Sequence, residues 1–321
     1  MDMENILEIK HLDLWFKGEN RDYQALYDIN LSFREGQIHS IVGESGCGKT
    51  LTAMSIMRLL PKTSKISSGE IFFKGNDLLK YKESKIRSLR GNKIALIPQD
   101  PLTSLNPLYT VGDQLIESIK THSKVSTHQA MRKARQVLDL VNIPEADKKM
   151  NFYPHEFSGG MKQRIIIAMA LASNAELIIA DEPTTALDVT IQKQIMDLLY
   201  EIKNEFKTTI LLISHDLALV SNYADTVTVM YSGHVVETAE ASEFFSNPIH
   251  PYSTALLNSL PTNNPALKLK TIIGAPPSIQ EEILGCKFHP RCEFCEYGLC
   301  DQTPPTLESR NKNHYSACLR F

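Results

Sequence analysis

No apolar run in the 321 residues approaches the ~20 residues that a membrane-spanning helix needs. The longest, at 165–172 and 177–180, are far shorter. Any work at a membrane is therefore expected to pass through partner subunits. Charge of one sign is not in excess either. Lys and Arg number 34 against 37 Asp and Glu, and the net charge of -3 gives no global reason to expect nucleic acid as a partner. The start, Met1-Asp2-Met3-Glu4-Asn5, lacks the basic residues and apolar run of a signal peptide, so a cytosolic protein is expected. The chain has no internal repeat and no low-complexity tract. Cysteine is almost absent before residue 286, where only Cys47 occurs. What remains, 22% charged and 42% hydrophobic, is ordinary for a globular protein of one large or two smaller domains.

Against that plain background one stretch stands out: Gly43-Glu44-Ser45-Gly46-Cys47-Gly48-Lys49-Thr50. It fits the phosphate-loop pattern G-x-x-x-x-G-K-[ST] at every fixed position. The apolar run at 38–42 predicts a buried strand before it, and 51–60 predicts a helix after it, stopped at Pro61. A chance glycine-rich turn would not carry both flanks. The glycines let backbone N–H groups close on phosphate oxygens at a helix N-terminus. Lys49 would reach the β- and γ-phosphates, and the Thr50 hydroxyl would ligate Mg²⁺.

Alternation predicts a half-buried strand at 6–16. Further strands are expected at 29–33, 69–75 and 93–98, with a hairpin at 227–237 around Ser232-Gly233. Met131, Ala134, Val137, Leu138 and Val141 recur at helical spacing, which predicts a helix over 126–141 capped by Ser126 or Thr127. Residues 160–173 are helical and rich in small apolar side chains. The runs 177–180 and 209–213 read as buried parallel strands, joined by an amphipathic helix over 188–206. The alternation predicts an α/β nucleotide-binding fold. Asp181, at the end of such a strand, can hold Mg²⁺ opposite a phosphate loop. Glu182, next to it, could act as general base on the attacking water.

Four more motifs complete an order. They are Gln99 in Ile97-Pro98-Gln99-Asp100, then Phe157-Ser158-Gly159-Gly160-Met161-Lys162-Gln163-Arg164, then Asp188 after Thr184-Thr185-Ala186-Leu187, then Ser214-His215-Asp216. This order resembles the ATP-binding cassette (ABC) ATPases over roughly 6–240. Phe157 and Met161 depart from the general Leu-Ser-Gly-Gly-Gln signature and resemble the ATPase subunits of oligopeptide, dipeptide and nickel importers. So do Asn247-Pro248-Ile249-His250-Pro251-Tyr252-Ser253 and Gly285-Cys286-Lys287-Phe288-His289-Pro290-Arg291-Cys292. The resemblance implies an ABC domain at 1–245, with a helical subdomain inserted at about 105–172, and a small Cys-rich extension at 246–321. It implies that Ser158, Gly159 and Gly160 contact ATP held by an opposite subunit. It implies that Gln99 ligates Mg²⁺, His215 approaches the γ-phosphate, and Asp188 lies at the interface. An aromatic stacks on adenine in this family; Phe16 fits best, with Trp15 and Tyr23 as rivals and a core role for Phe16 equally open. The implied partners are a second ATPase subunit (a paralogue or a second copy), two membrane permeases and an extracytoplasmic solute-binding protein. The implied place is the cytoplasmic face of the membrane, and the implied cargo is peptide, with nickel or another metal–chelator complex as the alternative.

The last quarter differs in composition, with nine of the 16 prolines and five cysteines: Cys286, Cys292, Cys295, Cys300 and Cys318. A segment poor in core residues needs a staple. In a cytosolic protein such a cluster points to metal before disulfides. The resemblance implies a [4Fe–4S] cluster on Cys286, Cys292, Cys300 and Cys318, with Cys295 as rival for Cys300. Zinc, with His289 or His314, is the alternative. A zinc nucleic-acid reader is disfavoured: Lys287, Arg291, Arg310, Lys312 and Arg320 are offset by six acids between Glu281 and Glu308. A soluble ABC ATPase of translation or repair is disfavoured by the single cassette without a coiled-coil insertion.

Overall fold

A computed structural model describes residues 5–260, 271–311 and 313–320. Met1 to Glu4, Pro261, Pro265 and Lys312 lie outside the described residues. In chain order the elements are β1 (Asn5–Phe16), β2 (Tyr23–Arg34), β3 (Ile38–Val42), α1 (Lys49–Met57), β4 (Ser64–Phe73), β5 (Asn76–Asp77), α2 (Glu83–Leu89), β6 (Ile94–Ile97), α3 (Pro101–Ser104), α4 (Val111–His122), α5 (Thr127–Leu140), α6 (Ala146–Lys149), α7 (Gly159–Leu171), β7 (Leu177–Asp181), α8 (Val189–Phe206), β8 (Thr209–Ser214), α9 (Leu217–Tyr223), β9 (Thr226–Tyr231), β10 (His234–Glu240), α10 (Ala241–Ser246), α11 (Pro251–Asn258), β11 (Glu308–Asn311) and β12 (His314–Ser316). No helix among the described residues is long and apolar enough to cross a membrane.

The chain divides into two compact units that are not consecutive segments. The first comprises the described residues of Met1–Arg34, Ile38–Leu79 and Ser214–Phe321. It holds an antiparallel sheet in the order β2-β1-β4-β5. It also holds the run β11-β12-β10-β9-β3, in which β3 is parallel to β9 and the other pairs are antiparallel. Strand β2 begins six residues earlier than the sequence pattern suggests. Asp28 (φ +45°) and His11 (φ +50°), which meet at 2.7 Å, mark a break in the β1–β2 register. An extra residue flips the side-chain alternation, so only the half of β2 beyond Asp28 reads as a strand. The hairpin turns at Ser232 and Gly233 (φ +43° and +78°), as expected. Helix α1 ends before Pro61: Arg58 adopts the left-handed conformation and its N–H closes on the Met54 and Ser55 carbonyls.

The tail is anchored in this unit by one buried acid. Glu237 accepts from the Ile249 and His250 N–H groups, both at 2.8 Å, and pairs with His314 Nε2 at 2.7 Å. Beside it β12 extends the ladder, with Glu237 opposite Ser316. Tyr231, Tyr252 and Phe288 pack edge to face or tilted, with centroids 4.6–5.2 Å apart. Rings and hydrogen bonds thus supply what the proline-rich segment lacks in aliphatic mass.

The second unit comprises Glu35–Gln37 and Lys80–Ile213. Strands β6, β7 and β8 are parallel, and β7 and β8 are buried throughout, which is why their sequences are unbroken apolar runs. Helices α4, α5 and α7 pack on one another. Helix α5 has both halves of a capping box, Ser126 and Gln129. Its stripe is buried at Ala130, Ala134, Val137 and Leu138, but Met131, expected on it, is 49% exposed. Ala130 takes the core-facing place in that turn.

Candidate functional site

In the first unit, residues 43–50 form the loop the motif requires. Gly43, Gly46 and Gly48 have φ of +149°, +80° and +108°. At Gly43 a Cβ would stand 2.2 Å from the Met230 carbonyl oxygen, so only glycine fits. Helix α1 starts at Lys49 behind Gly48 and has no side-chain cap, which leaves its N-terminus suited to an anion. Lys49 is buried, and its ammonium donates to the Gly43 and Glu44 carbonyls at 2.8 and 3.0 Å. Thr50 is exposed beside it. Cys47 is buried under the loop, and burial pushes its thiol pKa up, so it behaves as packing. Ser45 and Gly46 are exposed at the loop's tip.

His215, at the junction of β8 and α9, is also exposed; the adjacent Asp216 caps α9 through the Ala218 and Leu219 N–H groups. Phe16 and its rival Tyr23 stack on each other, with centroids 5.6 Å apart and an interplanar angle of 15°. Trp15, the other rival, is 37% exposed.

In the second unit, Asp181 is the buried last residue of β7. Glu182 leaves the strand at φ +48°, an uncommon conformation for a residue with a Cβ. Its carboxylate accepts from Gln99 Nε2 and Thr185 Oγ1, each at 2.9 Å. Ser158 caps α7 by accepting from the Met161 N–H at 3.4 Å, and Gly159 and Gly160 form the first turn. A Cβ on Gly160 would meet Ile191 Cγ2 at 2.7 Å, so glycine is needed for α7 to lie against α8. Asp188 caps α8 through the Ile191 N–H at 3.0 Å.

In the tail, Cys286, Cys292, Cys300 and Cys318 line one cavity with His250, His289, Phe288 and Phe294. Cys295 is not part of that lining. Burial pushes the Cys286 thiol pKa up to about 11. Among the described residues, no group of three or more His, Cys, Asp or Glu is placed to hold a metal ion. Sequence reasoning gave no role to Tyr252 or Arg291. Arg291 forms a bidentate ion pair with Glu44 of the phosphate loop, at 2.6 and 3.0 Å. Both residues lie in stretches that stood out in the sequence, but nothing local indicated what they touch.

Comparison with known proteins gives two family matches. Residues 26–185 match the ABC transporter family, and residues 236–300 match the oligopeptide/dipeptide transporter C-terminal region. The oligopeptide transport ATP-binding protein OppD of Salmonella typhimurium is 44% identical over 316 residues, covering 98% of this chain and 93% of the relative. That of Bacillus subtilis is 43% identical over 317 residues, covering 98% and 88%. Among solved structures, the ATP-binding cassette MJ0796, a dimer in a post-hydrolysis state bound to ADP and Pi, superposes with a TM-score of 0.66 at 26% identity. It covers 73% of this chain and 98% of its own. The fold is the α/β phosphate-loop fold of these cassettes, and the chain belongs to the ABC transporter family of ATPases, in the branch that carries the oligopeptide/dipeptide transporter C-terminal region.

Proposed function

We propose that this chain hydrolyses ATP to power import of peptides, as one of two ATPase subunits on the cytoplasmic face of a membrane transporter. One observation carries the reading: the buried Lys49 in its glycine loop occurs together with a strand-end Asp181-Glu182 pair whose base is already held by Gln99. The first is a polyphosphate cradle and the second is a metal ligand beside a water activator. In this reading Thr50, Asp181 and Gln99 hold Mg²⁺, and His215 attends the γ-phosphate. Phe16 offers the adenine stack. Ser158, Gly159 and Gly160 serve a nucleotide bound by the opposite subunit, and Asp188 lies in that interface. The exposed Ser158 at the start of α7, with Gly159 and Gly160 half-buried behind it, supports this. The dimeric cassette with ADP and Pi supports it by analogy. Two permeases and a solute-binding protein would complete the machine, and the match at 236–300 with the named relatives supports peptide as cargo.

For the extension at 246–321, four cysteines around one apolar cavity are a donor set suited to a [4Fe–4S] cluster. Such a cluster would tie Cys286, Cys292, Cys300 and Cys318 together and take no part in ATP chemistry.

The test is reconstitution of the chain in liposomes with the permeases that co-purify with it and their binding protein. ATP hydrolysis stimulated by peptide-loaded binding protein is the expected result. Stimulation by a nickel–chelate and not by peptide would replace the cargo reading.

A further inference from the structure

Glu44 sits inside a loop built for an anion, where a second negative charge would repel bound phosphates. The C-terminal segment engages it. Arg291 Nη1 and Nη2 donate to the two Glu44 carboxylate oxygens at 2.6 and 3.0 Å. Its remaining N–H groups donate to Tyr231 Oη at 3.2 Å and to the Ile273 and Gly274 carbonyls at 3.1 Å each, so all five guanidinium donors are used. The Arg291 side chain is 6% exposed and that of Glu44 24%, so water screens the pair little. Tyr252 acts on the same residue: its hydroxyl accepts from the Glu44 N–H at 3.0 Å and donates to Glu44 Oε2 at 3.5 Å. The Glu44 carbonyl in turn accepts from Lys49 at 3.0 Å.

We propose that Arg291 and Tyr252 are positioning residues for the phosphate loop, neutralising Glu44 and fixing its peptide so that nucleotide affinity is set in part by the C-terminal segment. The proposal rests on residues 43–50 being that loop. Releasing Arg291 leaves the Glu44 carboxylate uncompensated, and releasing the Tyr252 hydroxyl frees the Gly43–Glu44 peptide whose carbonyl accepts from Lys49. Arg291 lies between Cys286 and Cys292, which line the thiol cavity, so a change that remodels the cavity also moves the clamp.

The test measures ATP affinity with a fluorescent analogue, together with KM and kcat, on the full chain. Arg291→Ala should raise Kd and KM about tenfold, as loss of a dehydrated charge-assisted pair would, with kcat at saturating ATP within about twofold. Adding Glu44→Gln to Arg291→Ala should restore affinity, because it removes the charge that Arg291 offsets. Arg291→Lys, which keeps the charge without the fork, should fall between. A lowered melting temperature with unchanged Kd, or a defect that Glu44→Gln does not rescue, would overturn the proposal. If Arg291→Ala fails to fold, Tyr252→Phe removes only the hydroxyl: a raised Kd supports the clamp and an unchanged one overturns it. Lys49→Ala is the reference, and normal ATP binding by that variant would refute the loop assignment, not the clamp.

Discussion

Gln99 donates its side-chain amide to Glu182 at 2.9 Å, from just beyond the ends of two adjacent parallel strands. The register explains the meeting. Ile97 of β6 lies opposite Ala180 of β7, so the residues two further along each strand fall side by side. The left-handed backbone at Glu182 lifts its side chain out of the pleat at a cost of ~1 kcal/mol, which the surrounding strands sustain.

Glu182→Gln is therefore expected to separate binding from chemistry. The amide oxygen still accepts from Gln99 and Thr185, so the geometry survives while the base is lost. The expected fall in kcat is about 10²–10⁴-fold, with ATP affinity retained and an ATP-bound closed dimer accumulating. Steady-state hydrolysis and a filter-binding measurement on the purified variant decide it; normal turnover would remove Glu182 from the role of base.

Gly43→Ala should abolish nucleotide binding. The added methyl carbon would meet the Met230 carbonyl at 2.2 Å and Cys47 Sγ at 2.8 Å, and neither a backbone oxygen nor a buried thiol can withdraw. Gly46→Ala, where no atom lies within 4 Å of the new methyl, should be milder despite its φ of +80°. Comparing ATP affinities of the two variants tests whether steric closure, and not glycine content, fixes the loop.

The loop at 43–50 and the acid that ends β7 were legible because the proposed chemistry dictates both residue type and spacing. A phosphate loop tolerates few alternatives at its fixed positions, and an acid proposed to bind metal follows an unbroken apolar strand because the parallel core demands one. Helix α5 was legible because a capping residue at 126 or 127 and the apolar stripe are local signals. The Arg291–Glu44 pair was not, because it joins positions 247 apart and leaves no trace in periodicity. Glu237 falls at the end of the expected hairpin, where nothing local marks it as the buried acceptor that anchors the tail. The first half of β2 was hidden by the break at Asp28, since strand reading depends on an unbroken period of two.

Hydrolysis should depend on protein concentration. Ser158, exposed, caps the start of α7, and in the proposed reading it completes a site on another subunit. A dilute monomer should bind ATP and turn over slowly, with specific activity rising as subunits associate. Sedimentation alongside activity across a dilution series checks this; full activity in a strictly monomeric preparation would contradict it.

Acid should destabilise the protein through three histidines. Burial holds the pKa of each of His39, His234 and His250 down to about 4, below the ordinary value of 6.5. In the fold they stay neutral while the unfolded chain takes up protons. Their stabilising contribution is therefore complete above pH 6.5 and is lost as pH falls from there towards 4. The urea midpoint should drop between pH 7.5 and 5, a window above the range where most carboxylates titrate. A midpoint that does not move over that window would show that the histidines are equally protonated in both states.

The tail offers the sharpest chemical test. Cys286, Cys292, Cys300 and Cys318 line one cavity, whereas Cys295 stands outside that lining. Burial pushes the Cys286, Cys292 and Cys318 thiols up in pKa, so without a ligand they stay uncharged and pack as small apolar groups. Ligation would reverse this by stabilising the thiolates, and binding energy would become folding energy. Anaerobically purified protein should be brown, with broad absorption near ~400 nm from thiolate-bound iron. Cys300→Ser should bleach it and lower the melting temperature, while Cys295→Ser should leave both unchanged. Stoichiometric zinc in colourless protein would favour the tetrahedral alternative. Metal-free protein with titratable thiols and an intact fold would exclude both metals.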